Sequence, residues 1–238
     1  MSNPGRCASI GAVTNTVWRG PLLKRARGAV LRRLRPPGAR EGYFEALAPT
    51  YDDWWTRTGR MANTEQLRPG WSEEVAALQA TIEALEPART LDVACGTGFL
   101  TRWLPGLVVG LDASEAMLEI ANAQAPEAIF VRGDALSLPF PDGSFGRCFA
   151  SHIYGHLDRA ERRRFRSEAR RVAGELVILD TAGEGREEGA VQDRGLADGS
   201  RWQVFKQPFT PERLIDELDS GEVLHRGDYF VMVRSAAS

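Results

Sequence analysis

The sequence predicts an α/β domain in which a mostly parallel sheet is covered by helices on both faces. Short, strongly apolar segments alternate with helical segments between residues 90 and 180, as is typical of parallel strands joined by helices. The first apolar segment is followed by a tight glycine turn. The second and third apolar segments are each followed by an acidic residue. With 238 residues, of which 43% are hydrophobic, the chain can form one such domain with a sizeable core.

Seven strands can be assigned from the apolar segments. Five of them alternate with helices and are predicted at residues 90–95, 108–112, 128–131, 146–151 and 175–180. Two further strands, at residues 222–225 and 229–233, close the chain. Residues 201–206 are predicted to form a short strand or a segment that covers the site.

Helices are predicted where apolar residues recur at helical spacing behind a capping residue. Ser72 is predicted to cap a helix that Pro87 ends, and Ser114 to cap a second helix. Further helices are predicted over the aromatic-rich residues 43–55, from about residue 99, over residues 158–172 and after residue 210.

Charge divides the chain into two parts. Residues 1–40 contain nine basic residues and no acid, and because the whole chain carries a formal charge of −2, the remainder carries −11. Residues 1–40 are interpreted as a basic N-terminal extension, disordered or forming a short amphipathic helix over residues 21–35, and residues 41–238 as the folded domain. That helix could make weak contact with a membrane surface. The acidic domain argues against nucleic acid as a partner.

The cysteine pattern predicts a cytoplasmic protein. Cys7, Cys95 and Cys148 form no Cys-x-x-Cys pair and leave one thiol over, which fits a reducing compartment. No stretch approaches the roughly 18 apolar residues that span a bilayer, and the N-terminus lacks the continuous apolar region of a secretory signal. The oligomeric state cannot be predicted from these features.

The glycine turn is the segment Asp92-Val93-Ala94-Cys95-Gly96-Thr97-Gly98, which is typical of a nucleotide-type cofactor loop. A dinucleotide fingerprint requires a third glycine three residues after Gly98, where Thr101 stands, and a phosphate-binding P-loop requires a lysine that is also missing. Asp92, inside the strand, would repel a pyrophosphate but could accept hydrogen bonds from an ammonium group, directly or through water.

This turn resembles motif I of class I methyltransferases that depend on S-adenosylmethionine (SAM), with Ala94 in place of the first glycine. The resemblance covers residues 43–235 and implies a Rossmann-like fold of seven strands that ends in an antiparallel hairpin, with SAM as cofactor. It also implies cofactor contacts from Asp92, Ala94, Cys95, Gly96 and Gly98.

The run Ala48-Pro49-Thr50-Tyr51-Asp52 resembles the N-terminal lid of small-molecule methyltransferases, in which the tyrosine reaches the cofactor. Aromatic residues at helical spacing also form cores. Tyr51 is therefore a candidate cofactor contact with a core position as the alternative.

Polar residues at the carboxyl ends of the later strands complete the predicted cofactor site, because ligands of open α/β sheets bind at that edge. Asp112 suits a ribose diol, an argument that would fit NAD equally well. In the resembling family Ala113 and Met117 would flank the adenine. Asp134 and Ala135 would read the adenine edge, and Ser151 would face the cofactor. The resemblance therefore implies six further cofactor contacts: Asp112, Ala113, Met117, Asp134, Ala135 and Ser151.

His152 and His156 are the candidate catalytic residues after the fourth strand. Lying four residues apart, they are predicted to share a helical face, and either imidazole could take a proton from a hydroxyl or an acidic carbon. The alternatives are a core or cofactor contact and, on weaker grounds, a metal site. The Asn/Asp-Pro-Pro-aromatic tetrad of amino-group methyltransferases of nucleic acids is missing, as is a Pro-Cys nucleophile.

An arginine-rich run in the predicted helix at residues 158–172 would fit nucleic acid, but the interleaved Glu161 and Glu168 favour a solvated outer face. The sequence therefore predicts transfer of a methyl group from SAM to an O, N or C atom of a small molecule. The alternatives are an RNA or protein methyltransferase that docks through the basic N-terminus and a protein that binds SAM without turnover.

Overall fold

The computed structural model describes residues 39–59, 61–62, 67–183 and 189–236. Seven strands form one sheet in the order β3-β2-β1-β4-β5-β9-β8, and β6 and β7 form a separate two-stranded sheet. The strands are β1 (Ala88–Val93), β2 (Gly106–Asp112), β3 (Ile129–Arg132), β4 (Phe145–Ser151), β5 (Ala173–Thr181), β6 (Ala190–Gly195), β7 (Arg201–Lys206), β8 (Glu222–Arg226) and β9 (Phe230–Ala236).

Six α-helices occur in the described part of the chain: α1 (Ala39–Leu47), α2 (Asp52–Thr56), α3 (Trp71–Glu83), α4 (Glu115–Gln124), α5 (Arg159–Val172) and α6 (Pro211–Leu218). Ser114 caps α4 by accepting a hydrogen bond from the backbone N–H of Met117, and Thr210 caps α6 in the same way through Arg213. The Ser114 cap lies where the sequence predicts it, and α6 begins after residue 210 as predicted.

Strands β1 to β5 run parallel to one another, whereas β9 is antiparallel to both of its neighbours, β5 and β8. In the small sheet, β6 and β7 are antiparallel. The predicted fold class is therefore confirmed, including the antiparallel C-terminal hairpin. The chain proceeds outward from β1 through β2 to β3 and then returns to the other side of β1 with β4. The carboxyl ends of β1 and β4 therefore flank the point where the strand order reverses, which is where α/β sheets bind ligands.

Two hydrophobic layers cover the sheet, and alternate residues of each central strand point into opposite layers. In β4, Cys148 and Ala150 pack with Phe165 of α5, whereas Phe149 packs on the other face with Leu78 of α3. All five of these residues are fully buried. This double coverage explains why the strands are almost continuously apolar in the sequence.

The helix predicted from about residue 99 is wrong. Residues 94–105, all of them described, contain only a 3₁₀ turn at Thr101–Trp103 between β1 and β2. Pro105 disfavours helical backbone at the residue before it, and Gly106 begins the next strand, so there is no room for a full helix. The site therefore has a glycine turn without the α-helix N-terminus that the sequence suggested.

The predicted Ser72 cap is also wrong, because α3 begins one residue earlier, at Trp71. Gly70 occupies the cap position with φ of 82°, a left-handed conformation that favours glycine. The helix ends at Glu83, four residues before the predicted stop at Pro87.

The arginine-rich helix α5 is less solvated than the sequence predicts. Arg162 is 6% exposed and donates to Glu217 and to the carbonyl oxygen of Leu157. Arg171 donates to Glu168 and to carbonyl oxygens of the preceding loop. These contacts fix the helix against α6 and the loop between β3 and β4, so they account for part of the basic run without a nucleic-acid partner.

The basic N-terminal extension and its candidate helix at residues 21–35 lie outside the described residues. The described chain starts in α1 at residue 39, so the boundary at residue 40 stays a prediction. No described helix combines the length and the apolar character needed to cross a membrane.

Candidate active site

A cavity of about 470 Å³ lies at the carboxyl ends of β1, β2 and β4. Its floor is formed by the loops that follow these strands, and α1, α2 and the small β6–β7 sheet cover it. Most of the predicted site residues line it: Tyr51, Ala94, Gly96, Asp112, Ala113, Met117, Asp134, Ala135, Ser151, His152 and His156. Most of the residues selected from the sequence therefore lie around this single cavity.

The glycine turn has left-handed backbone at three positions, with φ of 58° at Ala94, 55° at Gly96 and 77° at Gly98. A Cβ at Gly96 would stand 3.6 Å from the Tyr51 ring. Ala94 adopts this conformation although it carries a Cβ, which costs roughly 1–2 kcal/mol. The turn bends the chain sharply away from β1 and leaves its backbone bordering the cavity.

Asp112 connects the end of β2 to this turn. Its carboxylate accepts hydrogen bonds from the backbone N–H of Gly96 at 2.9 Å and of Ser114 at 2.9 Å. Burial raises the pKa of the Asp112 carboxyl, and these hydrogen bonds oppose that rise because they stabilise the ionised form. The result is a fixed carboxylate in the cavity wall.

Asp134 follows β3 in a tight turn and lies on the exposed side of the cavity. One carboxylate oxygen accepts a hydrogen bond from the backbone N–H of Leu136 at 2.8 Å. The apolar side chains of Leu111, Met117 and Leu136 line the same cavity as this acid and Asp112. A flat heterocycle with a polar edge fits this arrangement.

Tyr51 approaches the turn from the other side of the cavity. Its hydroxyl forms no hydrogen bond within the described residues, and burial together with nearby Asp112 raises its pKa. The neighbouring Asp52 fixes α2 in place by accepting from Thr97 Oγ1 at 2.6 Å and from Gln124 Nε2. The uncommitted phenol is therefore held beside the glycine turn as a donor for a ligand.

Three predicted cofactor residues do not line the cavity: Asp92, Cys95 and Gly98. Asp92 is 1% exposed and accepts from Thr101 Oγ1 at 2.6 Å, and its second oxygen has no partner among the described residues. Burial raises the pKa of this carboxyl to about 7. Gly98 packs against Ala121 of α4, where a Cβ would approach to 3.2 Å. These residues support the turn from below.

His152 and His156 do not share a helical face as predicted. His152 has left-handed backbone with φ of 57°, and His156 ends a 3₁₀ turn at Tyr154–His156. The tight turn brings both side chains to the cavity wall although they lie on no common helix.

His152 is enclosed by aromatic rings. Its ring centroid lies 5.0 Å from that of Trp54, 5.2 Å from Trp55 and 5.6 Å from Phe230. Its Nε2 is buried without a hydrogen-bond partner among the described residues, and Nδ1 lies 3.5 Å from Thr181 Oγ1. Burial and Lys206 lower the pKa of His152 to about 3, so the ring is neutral.

A buried ion pair beneath the histidines was missed by the sequence analysis. Asp180, at the end of β5, is fully buried and accepts from Lys206 Nζ at 2.6 Å and from the backbone N–H of Gly155 at 2.7 Å. Burial alone would raise the pKa of this carboxyl, but Lys206 brings it below its usual value through its charge and its hydrogen bond. The same strand-end argument that selected Asp112 could have selected Asp180.

The sequence also predicted only part of the cover of the cavity, which is formed by α1, α2 and the β6–β7 sheet. Tyr43 and Phe44 of α1 pack with Trp202 and Val204 of β7. The strand predicted at residues 201–206 is confirmed, but its partner β6 lies in a polar segment without an apolar pattern. No group of His, Cys, Asp or Glu in the described ranges is arranged to hold a metal ion.

Comparison with known proteins finds similarity to methyltransferases, the family that the glycine turn resembles. The profile of the family described as methyltransferase domain matches residues 91–176. A demethylmenaquinone methyltransferase of Thermotoga maritima is 40% identical over 118 residues, which are 46% of this chain and 49% of the relative. A demethylmenaquinone methyltransferase of Roseiflexus castenholzii is 34% identical over 161 residues, 63% of this chain and 64% of the relative.

Among solved structures, the complex titled DhpI-SAH matches with a TM-score of 0.63 and 24% identity, covering 82% of this chain and 94% of that one. This likeness concerns the fold. The chain spans about half the length of the first of these curated relatives. Residues 91–176, which run from within β1 to Leu176 of β5 and include the glycine turn, match the methyltransferase-domain family, and the fold is that of Rossmann-like class I methyltransferases.

Proposed function

We propose that the protein is a SAM-dependent methyltransferase that acts on a small molecule and releases S-adenosylhomocysteine (SAH). The observation that carries this proposal is the cavity beside the glycine turn, which presents a fixed carboxylate, a second acid and an uncommitted phenol around apolar walls. The relatives' names support the same assignment, because those proteins are methyltransferases of quinone-type small molecules.

The residues present fit SAM chemically. Asp112 can accept both hydroxyls of the ribose, Asp134 can accept from the adenine amine, and Met117 and Leu136 offer apolar contact for the base. Tyr51 and the backbone of Ala94 and Gly96 border the remaining space. When bound, SAM supplies an electrophilic methyl group on a sulfonium centre.

Asp92, Cys95 and Gly98 are proposed to act through the turn rather than by contact with SAM. Asp92 holds Thr101, and Gly98 allows close approach of α4. Together they fix the backbone of the cavity wall, since catalysis of methyl transfer depends chiefly on positioning and on excluding water.

We name the part of the cavity lined by Gly96, Asp112 and Asp134 the cofactor end, and the part lined by Phe44, His156 and Lys206 the acceptor end. Facing aromatic and aliphatic side chains line the acceptor end, so it suits a small apolar molecule. We also propose a cytoplasmic location, because Cys95 and Cys148 are free thiols in the described chain.

Calorimetric titration with SAM and SAH tests the proposal. We expect both to bind with a stoichiometry of one, and incubation with methyl-labelled SAM and fractionated cell extract to label a small molecule. A label on RNA or protein would favour a macromolecular acceptor, and binding without any labelled product would indicate a SAM-binding protein without turnover. Failure of both ligands to bind would overturn the assignment.

A further inference from the structure

We propose that the methyl acceptor is a phenolic hydroxyl and that Nε2 of His156 takes its proton, while the charge of Lys206 disfavours cationic amines. This inference rests on the proposed function and narrows it from transfer to O, N or C to transfer to oxygen. It also selects one of the two candidate histidines.

The orientation of His156 defines which nitrogen can act. Nδ1 lies 2.7 Å from the carbonyl oxygen of Phe205, and a carbonyl can only accept, so Nδ1 carries the proton. Nε2 is then the nitrogen with a free lone pair, and no described residue donates to it. His156 lines the cavity, so this lone pair is available to an O–H group of a bound molecule.

His152 lacks these features. Its Nε2 is sealed among rings, and its Nδ1 faces Thr181 and, at 3.8 Å, Asp180. A molecule in the cavity would have to displace Trp54 or Trp55 to reach Nε2. His152 is therefore part of the wall, and His156 is the histidine that can meet the acceptor.

The backbone of His156 is fixed from two sides. Arg40 of α1 donates to its carbonyl oxygen at 3.0 Å, and the preceding Gly155 donates to Asp180 at 2.7 Å. The ring also contacts Phe44, with centroids 5.3 Å apart and an interplanar angle of 80°. Nε2 is thus held in one place without depending on a ligand.

Burial, together with the charge around His156, keeps the imidazole neutral. Burial and Lys206 lower its pKa to about 3, which Asp180 opposes, while His152 is neutral itself. Lys206 is the one lysine within residues 39–236, and its ammonium forms an ion pair with Asp180 below the ring. Lys206 lines the cavity, whereas its partner Asp180 is fully buried and does not. An ammonium acceptor would therefore lie closer to the Lys206 charge than to the carboxylate that offsets it, and it would also meet the sulfonium of SAM, whereas a neutral hydroxyl would meet neither repulsion.

A weakly basic imidazole is sufficient for this chemistry. The acceptor oxygen forms a bond to the methyl carbon as the carbon–sulfur bond breaks, and that bonding pair goes to sulfur, giving the neutral thioether of SAH. The hydroxyl proton becomes strongly acidic as the carbon–oxygen bond forms, so it passes to Nε2 even though the free imidazole is a weak base. The imidazolium then releases the proton to solvent, and the product is a methyl ether.

The walls of the acceptor end favour an aromatic acceptor over an aliphatic alcohol. Phe44 and Trp54 present their rings at the cavity, with Leu47 and Val204 beside them. Aromatic rings pack edge to face or offset against such side chains with about 0.5–1.5 kcal/mol beyond the burial of area. A flat phenol fits this environment and supplies the O–H donor that Nε2 requires.

The first experiment measures binding and the tautomer without turnover. Protein labelled with ¹⁵N in histidine and saturated with SAH is titrated with 2-naphthol and, in parallel, with 2-naphthylmethylamine as its cationic counterpart. We expect the Nε2 resonance of His156 to be unprotonated and to shift when 2-naphthol binds, and the phenol to bind about tenfold more tightly than the amine. A protonated Nε2, an unshifted resonance or equal affinity would overturn the inference.

The second experiment uses His156→Asn, because an asparagine amide can still donate to the Phe205 carbonyl but offers nothing at the position of Nε2. We expect kcat for conversion of 2-naphthol to 2-methoxynaphthalene to fall about 100-fold, with KM nearly unchanged. His225→Asn is the matched control. His225 lies on the edge strand β8, outside the cavity, where it contacts Glu74 of α3. Unchanged kcat in His156→Asn would exclude His156 as the base.

Lys206 is tested as a positioning residue in the double variant Asp180→Asn/Lys206→Met, which removes both buried charges together. We expect the preference for the phenol over the amine to shrink and the pKa of His156, followed by NMR, to rise. Preserved selectivity would contradict the role of Lys206.

Failure of SAM and SAH to bind the wild-type protein would refute the proposed function itself. Methylation of the amine instead of 2-naphthol would refute only this inference.

Discussion

The two ends of the cavity are built in different ways. Apart from Tyr51, the cofactor end comes from one continuous stretch, residues 92–136, whose lining residues lie at or after the carboxyl ends of β1, β2 and β3 or on α4. The acceptor end combines α1, the turn after β4 and strand β7, which are joined by single side-chain contacts such as Arg40 with the His156 carbonyl oxygen and His156 with the Phe205 carbonyl oxygen. The rigid sheet therefore fixes the first end directly, and the second depends on how its cover is attached.

This difference indicates where substitutions can change the specificity for the methyl acceptor without loss of the fold. Side chains at the cofactor end also hold the backbone of the glycine turn, so a substitution there disturbs both the ligand and the turn. Side chains at the acceptor end line a cover whose strand β6 is exposed along its whole length. We therefore expect the largest effects at the cofactor end and graded, smaller effects toward the cover.

Asp112→Ala should have the largest effect on cofactor binding. It removes a carboxylate that accepts from two backbone N–H groups and that faces the cavity, so we expect SAM to bind about 100-fold more weakly, equivalent to roughly 3 kcal/mol. Calorimetry measures this change. Asp216→Ala, at an exposed position of α6, is the matched control and should bind SAM as the wild type does. Equal affinity in the two variants would contradict the role of Asp112.

Asp92→Asn should change the pH dependence of stability more than the affinity for SAM. The folded-state pKa of Asp92, about 7, lies above its unfolded value, so the folded state binds this proton more tightly. The stabilisation is complete below about pH 4 and is lost as the pH rises toward 7, by up to about 1.4 kcal/mol per pH unit. Asparagine cannot ionise, so the variant lacks this loss.

Urea unfolding of the wild type and Asp92→Asn between pH 4 and 8 measures the difference. We expect the gap between their free energies of unfolding to grow in favour of the variant as the pH rises and to level off above pH 7. A constant gap would show that Asp92 is ionised in the folded protein throughout. A loss of SAM affinity as large as that of Asp112→Ala would instead show that Asp92 contacts the ligand.

The attachment of helix α2 to the cofactor end is tested at Asp52 and Thr97, whose hydrogen bond of 2.6 Å joins α2 to the glycine turn. Asp52→Ala should weaken SAM binding about tenfold because Tyr51 loses its fixed position. Thr97→Val removes the same hydrogen bond with little change of shape. In a double-mutant cycle the two effects should overlap rather than add, and full additivity would mean that the hydrogen bond does not couple them.

The contrast between the two ends also decides what could be predicted from the sequence. Asp112 and Asp134 were found because parallel strands bring their carboxyl ends to one edge, so position along the chain gives position in space. Tyr43, Phe44 and Lys206 could not be found in this way. They meet at the cavity only because α1 packs across β7, and that contact joins residues about 160 positions apart without a local pattern.

The histidines show the limit of spacing arguments. A separation of four residues places two side chains on one face only if the backbone is helical, and the left-handed His152 breaks that condition. Both histidines line the cavity because the chain turns tightly between them. Likewise, the helix expected after the glycine turn failed because Pro105 limits the length of the connection, which a motif match does not take into account.

Arg40→Met should have the smallest effect, and it tests how firmly the cover is attached. Arg40 binds Glu161 through two hydrogen bonds of 3.0 and 3.1 Å, but both side chains are about 30% exposed, so the ion pair contributes only about 0.5 kcal/mol. Its third contact, with the carbonyl oxygen of His156, acts at the acceptor end alone. We therefore expect KM for 2-naphthol to rise about twofold while the affinity for SAM stays unchanged. Arg163→Met, at an exposed position of α5, is the matched control for loss of a positive charge. If Arg40→Met weakened SAM binding as much as Asp52→Ala, the cover would support both ends equally, and the distinction between a sheet-fixed and a contact-fixed end would fail.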